Sequence, residues 1–184
     1  HIGRARALAT DEGFRNRRHE VLKIPAGLTS LGACLNAAAN LMEIANLETA
    51  SITEQVNTRE LDDLDATYGS DRAAKASRTY RAAHKSLAES QKQRAKRRVI
   101  DVVDRCLGDL LSVYRDTILV QTGAHGELIN EELRPGIEEL ARMSTPEGNL
   151  RRIDAVFEAR EQMMEFNTTP LLALESLMVS ARIP

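Results

Sequence analysis

An all-α helical bundle is the fold predicted for this 184-residue chain, and three observations predict it. Ala, Leu, Glu and Arg are abundant while aromatic residues make up only 3% and Trp is absent, which favours helices over sheets. Apolar residues recur at three- and four-residue steps through most of the chain, with no alternating stretch that pairs as strands. The prolines Pro25, Pro135, Pro146 and Pro170 punctuate those periodic segments, and Pro184 ends the last one. A chain of this length buries roughly 70% of its unfolded surface, so a substantial core is within reach.

Ile2, Ala5, Leu8 and Ala9 already stand at helical spacing, so the first residues read as the interior of a helix. Thr10 and Asp11 start a second helix over 11–24, with Phe14, Val21, Leu22 and Ile24 apolar, stopped by Pro25 and Gly27. Thr29 and Ser30 are N-cap candidates for a long helix whose buried stripe is Leu31, Cys34, Leu35, Ala38, Leu41, Met42 and Ala45. Beyond Leu47 the stripe thins, and Glu48, Glu54, Glu60, Asp62, Asp63 and Asp65 make that end acidic. "TYGSD" (67–71) reads as a break hinged at Gly69, with Ser70 or Asp71 capping the next helix. That helix is predicted over about 71–121. It is basic at first, through Lys85, Lys92, Arg94, Lys96, Arg97 and Arg98, then apolar through Val99, Val103, Cys106, Leu110, Tyr114 and Ile118. An acidic segment, a break and a basic segment predict an antiparallel helical hairpin, a charged arm over about 48–98 that projects from the core. Surface ion pairs contribute little, so its tip is expected to be mobile.

After "QTGAHGE", where Gly123 and Gly126 break the helix, the chain becomes richer in core residues. A short helix with Pro135 near its first turn faces Ile137 and Leu140 inward. Ser144 or Thr145 caps a longer one with Leu150, Ile153, Val156, Phe157, Met163 and Met164 on its apolar face. The final helix is capped within Asn167 to Thr169. Its Leu171, Leu172, Leu174, Leu177, Met178 and Val179 go more than halfway round, which predicts burial by its own domain and by a neighbour.

Charge and motifs exclude most chemistry. A formal net charge of −2 gives no global case for nucleic-acid binding. Cys34 and Cys106 are too few and too widely spaced for a disulfide framework or a zinc knuckle, and both read as buried thiols. No apolar run approaches the ~20 residues of a membrane span, and the cytoplasm is the expected compartment. His1, His19, His84 and His125 include no helical metal pair. "RRHE" (17–20) reads as a solvated face. Glu43, Glu158 and Glu161 lack the nearby histidine found in di-metal carboxylate bundles, and "GAHGE" lacks the Lys-Ser/Thr of a phosphate loop. No catalytic, cofactor or metal site is expected. The one basic run, "KQRAKRR" (Lys92, Arg94, Lys96, Arg97, Arg98), is either a solvated face answering the acidic arm or a set of phosphate contacts. It has no interleaved aromatic residues for base stacking.

"GRARALATD", "RRHEVLKIPAGL", "LLSVYRD", "STPEGNLRRIDAVFEAREQM" and "NTTPLLALESLM", in that order, resemble the C-terminal part of the delta-prime subunit of the bacterial DNA polymerase III clamp loader. The resemblance covers about 1–45 and 99–182, leaving the charged arm between. It implies a remnant of the helical lid of an ATPase-type module over 1–25 and a helical collar domain over 26–184. In the lid helix the family carries a Gly-Ser-x-Arg-x-Ala sensor motif. Matched residue by residue, His1 and Ile2 take its second and third places, the sensor arginine's place falls on Gly3, and Arg4 is one residue late. Glycine cannot stabilise charge on a nucleotide phosphate, which agrees with the stator role that the resemblance implies: no ATP hydrolysis by this subunit. The implied partners are the loader's ATPase subunit and delta through the collar, with the sliding clamp and primed DNA engaged by the whole complex. Apolar excess with flanking arginines marks Arg151, Arg152, Leu171, Leu174 and Met178 as the expected collar interface. A helical nucleic-acid-binding module acting through 92–98 is the alternative.

Overall fold

The computed structural model describes residues 2–69 and 71–183, with side chains described from Arg6 onward apart from those of Arg72 and Ala74. The architecture is all-α, and no strand occurs among the described residues. The elements are α1 (Ile2–Thr10), α2 (Glu12–Gly27), α3 (Leu31–Tyr68), α4 (Arg72–Ala76), α5 (Arg78–Thr122), a 3-10 turn (Glu131–Leu133), α6 (Arg134–Met143), α7 (Pro146–Met164) and α8 (Pro170–Ser180). They form two compact units, residues 1–44 with 103–184, and residues 45–102. The boundaries fall inside α3 and α5, and residues 2–25 belong to the first unit.

Local chemistry starts and stops these helices. The Asp11 carboxylate accepts from the Phe14 amide at 2.9 Å, Ser30 Oγ from Ala33 at 3.2 Å, and Thr145 Oγ1 from Gly148 at 3.1 Å. Pro146 and Pro170 occupy first-turn positions, where a missing N–H costs nothing. Contrary to expectation, Pro25 does not stop α2. It sits inside the last turn, where the helix continues to Gly27. The predicted single helix over 71–121 is likewise divided. Ser77 Oγ accepts from the Tyr80 amide at 3.1 Å, an N-cap that separates α4 from α5. Gly69 (φ 94°) and Gly123 (φ 63°) come just after the C-termini of α3 and α5, in the left-handed region that glycine adopts at little cost.

The first unit holds an apolar core. Phe14, Val21 and Leu22 of α2, Cys34, Ala38 and Leu41 of α3, and Val103, Cys106, Leu107, Leu110 and Tyr114 of α5 are buried. Ile137 and Leu140 of α6 join them as expected. Leu31 and Leu35, read as part of the α3 stripe, are exposed instead; the buried line is the narrower Cys34–Ala38–Leu41–Ala45. "RRHE" is not a uniformly solvated face either. Arg18 is largely covered and bonds Asp109 (3.1 Å), Glu132 (3.1 Å) and Asn130 (2.6 Å), which joins α2 to α5 and to the turn before α6. The fully buried Asp116 accepts from the amides of Ile129 (3.0 Å) and Asn130 (2.8 Å), so the loop after α5 is pinned by a carboxylate.

The second unit is an antiparallel pairing of the end of α3 with the start of α5, in which partner numbers fall on α5 as they rise on α3. Gln91 Nε2 donates to Asn57 O (3.3 Å) and Glu60 Oε2 (3.1 Å), and Arg94 pairs with Glu60. Further on, Asp65 accepts from Tyr80 Oη (2.7 Å) and Lys75 Nζ (2.6 Å). Tyr68 meets Tyr80 edge-on, with ring centroids 6.2 Å apart. Glu48, read as part of the acidic face, is buried.

Candidate interaction surface

α7 and α8 pack on each other and present two faces each. The buried face of α7 is Asn149, Arg152, Val156, Ala159 and Met163, at three- and four-residue steps. That differs from the expected apolar face. Val156 and Met163 are inside, but Leu150, Phe157 and Met164 are each more than half exposed. Their seven-residue spacing makes them one stripe, turned well away from the buried face. Polar Asn149 and Arg152 take the inward positions because they have partners there.

Those partners form a relay. Gln121 Nε2 of α5 donates to Ala141 O (3.0 Å) and Ser144 O (2.8 Å), holding the end of α6. Asn149 Nδ2 donates to Gln121 Oε1 (3.0 Å), and Arg152 donates from one terminal nitrogen to Asn149 Oδ1 (2.9 Å). Arg152 Nε donates to Ala181 O (2.9 Å), and its other terminal nitrogen to Arg182 O (3.3 Å), closing over the end of α8. The Ile183 amide then bonds Leu28 O at 2.9 Å. Desolvation lowers the pKa of Arg152, Tyr114 acts to raise it, and neighbouring Arg151 lowers it further.

On α8 the buried residues are Ala173, Leu174, Leu177 and Met178. Leu171, Leu172 and Val179 are exposed, and Leu172 and Val179 lie opposite the buried face. Of the five expected interface residues, Arg152, Leu174 and Met178 are therefore core residues of this chain, while Leu171 and Arg151 are on the surface. The difference has a physical cause. A helix apolar most of the way round buries whichever face its own neighbours cover, and composition does not rank the faces. The signal that separates them lies on α7, where the seven-residue repeat of Leu150, Phe157 and Met164 runs outside a complete three- and four-residue buried set.

Of the basic run, Arg94 is taken up by Glu60, and Lys92, Lys96, Arg97 and Arg98 are exposed. Glu60 has its pKa lowered, first by the hydrogen bond from Arg94 and next by that from Gln91. Asp65 is lowered by Lys75 and then by Tyr80. Cys34 and Cys106 are buried thiols, and burial pushes the Cys34 thiol up. Among the described residues no group of His, Cys, Asp and Glu is arranged to hold a metal ion, and no helix is long and apolar enough to cross a membrane. The sensor position, Gly3 with Arg4 beside it, has helical backbone within α1, and its side-chain surroundings lie outside the described residues.

Residues 99–181, from within α5 through the C-cap of α8, match the family model described as DNA polymerase III, delta subunit, C terminal. Comparison with curated proteins and with solved structures returns no match. The matched stretch is thus similar to the C-terminal domain of a clamp-loader-type subunit of DNA polymerase III, and it contains the relay's side chains and both exposed apolar faces. The match does not separate delta from delta-prime.

Proposed function

We propose that this chain is a non-catalytic clamp-loader subunit of the delta-prime type, whose all-helical collar assembles with the other loader subunits for loading the sliding clamp in DNA replication. The match over 99–181 carries this reading. The delta-prime assignment is supported by the ordered segments from "GRARALATD" to "NTTPLLALESLM". On this reading residues 1–25 are lid and residues 26–184 are collar. The sensor place is held by Gly3, which offers no cation to a nucleotide. The partners are the ATPase subunit and delta. Clamp and primed DNA are reached through the whole complex, in the cytoplasm.

The partner surface is drawn from the residues that the fold leaves uncovered: Leu150, Phe157 and Met164 on α7, and Leu171, Leu172 and Val179 on α8. Exposed apolar residues grouped on two neighbouring helices mark a protein contact rather than a solvated face. The test is light scattering after size exclusion, on this chain mixed with the collar of the ATPase subunit. Leu172→Asp and Phe157→Asp are expected to abolish the mixed complex and leave the helical circular dichroism unchanged. A complex that survives both variants overturns the surface; no complex with the parent chain overturns the assembly reading. The exposure of Lys92, Lys96, Arg97 and Arg98 favours nucleic-acid binding as a second reading. It requires a DNA affinity that falls with salt and falls further when Lys96, Arg97 and Arg98 are neutralised.

A further inference from the structure

A cavity of about 700 Å³ opens between the first turns of α7 and the end of α8, within the range of small-molecule sites. Four arginines line it: Arg142 from α6, Arg151 and Arg152 from α7, and Arg182 after α8. Arg152 is only 6% exposed. Its three hydrogen bonds go to two carbonyls and an amide oxygen, and none goes to a carboxylate. Among the described residues no carboxylate lies within ion-pair distance of any of the four. A guanidinium has five N–H donors, so two of those on Arg152 remain beyond the relay. Burying a cation is costly unless an anion compensates it. Here Arg152 has no carboxylate partner, and three more arginines stand round the same space.

The cavity is graded along α7. Arg151 and Arg152 come first along it, and Asp154 and Glu158, which also line it, follow two to seven residues later. Position 148 is glycine, and a Cβ there would lie 3.3 Å from a terminal nitrogen of Arg152, so the guanidinium packs against the first turn of α7.

We propose that this arginine-lined cavity binds a phosphoryl group, its oxygens held by Arg142, Arg151 and Arg182 against the buried Arg152. Forked guanidinium donors match phosphate oxygens in pairs. The carboxylates further along the cavity accept hydrogen bonds from a ligand's hydroxyl or amino groups. The inference stands independently of the assembly reading, since it uses none of the exposed apolar residues.

Two sources supply this chemistry, a free phosphate compound and a strand phosphate. The experiment is titration calorimetry on the whole 184-residue chain with inorganic pyrophosphate, and with a short single-stranded oligonucleotide bearing or lacking a 5′-phosphate. Arg151→Ala and Arg182→Ala, both exposed and outside the relay's side-chain bonds, are each expected to weaken binding roughly tenfold or more. The triple variant Lys96→Ala, Arg97→Ala, Arg98→Ala is the control: it should leave unchanged both pyrophosphate binding and the difference in affinity between the phosphorylated and unphosphorylated oligonucleotide. Pyrophosphate binding alone assigns the cavity to a free ligand. Binding only of the phosphorylated oligonucleotide assigns it to a strand end. No heat with any probe, or equal weakening by the control of pyrophosphate binding or of the 5′-phosphate-dependent difference, overturns the proposal. Amide shifts at Gly148 and Asn149, followed by NMR on the same variants, distinguish loss of the ligand from loss of the fold.

Discussion

The two halves of α5 are built alike as helix and held in opposite ways. From Arg78 to about 101 the helix meets α3 mainly through polar contacts, Gln91 and Arg94 on Glu60 and Tyr80 on Asp65, with the Tyr80 ring its one buried apolar group among the described residues. From 103 to Thr122 its Val103, Cys106, Leu107, Leu110, Val113 and Tyr114 are buried. Apolar burial contributes roughly 1.5–3 kcal/mol for each large side chain. Polar contacts exchange water for protein partners and leave a small net gain. Helix formation therefore reports little about which segment is strongly held; the side-chain surroundings decide.

The largest effects are expected in the apolar unit. Leu174→Ala removes a fully buried side chain and should lower stability by roughly 2–5 kcal/mol in denaturant melts. If it costs less than Leu172→Ala, the assignment of buried and exposed faces on α8 is wrong. Arg152→Met should come next. It leaves Asn149 and the carbonyls of Ala181 and Arg182 without their donor, at a cost of about 1–3 kcal/mol in total, because removing the buried cation offsets part of the loss. Arg152→Lys should recover little of this, because an ammonium cannot span the three acceptors.

A smaller effect is expected in the polar seam. Gln91→Ala should cost about 0.5–1.5 kcal/mol. It should speed amide exchange within 45–102 while leaving the 103–122 half of α5 protected. The thiols provide the complementary readout, since Cys34 and Cys106 are both buried in the apolar unit. Their labelling by a disulfide reagent should be unaffected by Gln91→Ala and accelerated by Leu174→Ala. Equal acceleration by both would mean that the two units open together, and the contrast between them would fail.

The smallest effect is a pH dependence confined to the seam. Arg94 and Gln91 lower the pKa of Glu60, and Lys75 and Tyr80 lower that of Asp65. A carboxylate with a depressed folded pKa stabilises the fold above its ordinary value and loses that contribution as pH falls through the folded one. The seam should therefore loosen below the reference values of 4.5 for Glu60 and 3.8 for Asp65. Chemical shifts of Asn57, Gln91 and Tyr80, followed during acid titration, check this. Shifts that move only above those values would contradict it.

Helix type and many starts were legible in the chain, because caps and proline positions act within a few residues. Asp11, Ser30 and Thr145 are such cases. Ser77 is a cap of the same kind and was not legible, since the alanine-rich run around it carries no interruption in period. The relay of Gln121, Asn149 and Arg152 was not legible either. Its members are polar, far apart in sequence, and partnered by backbone carbonyls that carry no residue-specific mark. The arginine-lined cavity was hidden for the same reason: its four cations come from α6, from α7 and from the residues after α8.

By itself, the sequence determined that this protein is helical, where its main helices begin, which halves of its long helices are charged, and which segments resemble a clamp-loader subunit. Those features depend on local backbone chemistry and side-chain period. Only the tertiary structure decided which face of α7 and α8 is buried, which arginine is held inside and which stands at the surface, and where four arginines gather round one cavity. Burial is a property of neighbours, and an apolar or cationic residue is inside or outside according to what the rest of the chain brings against it.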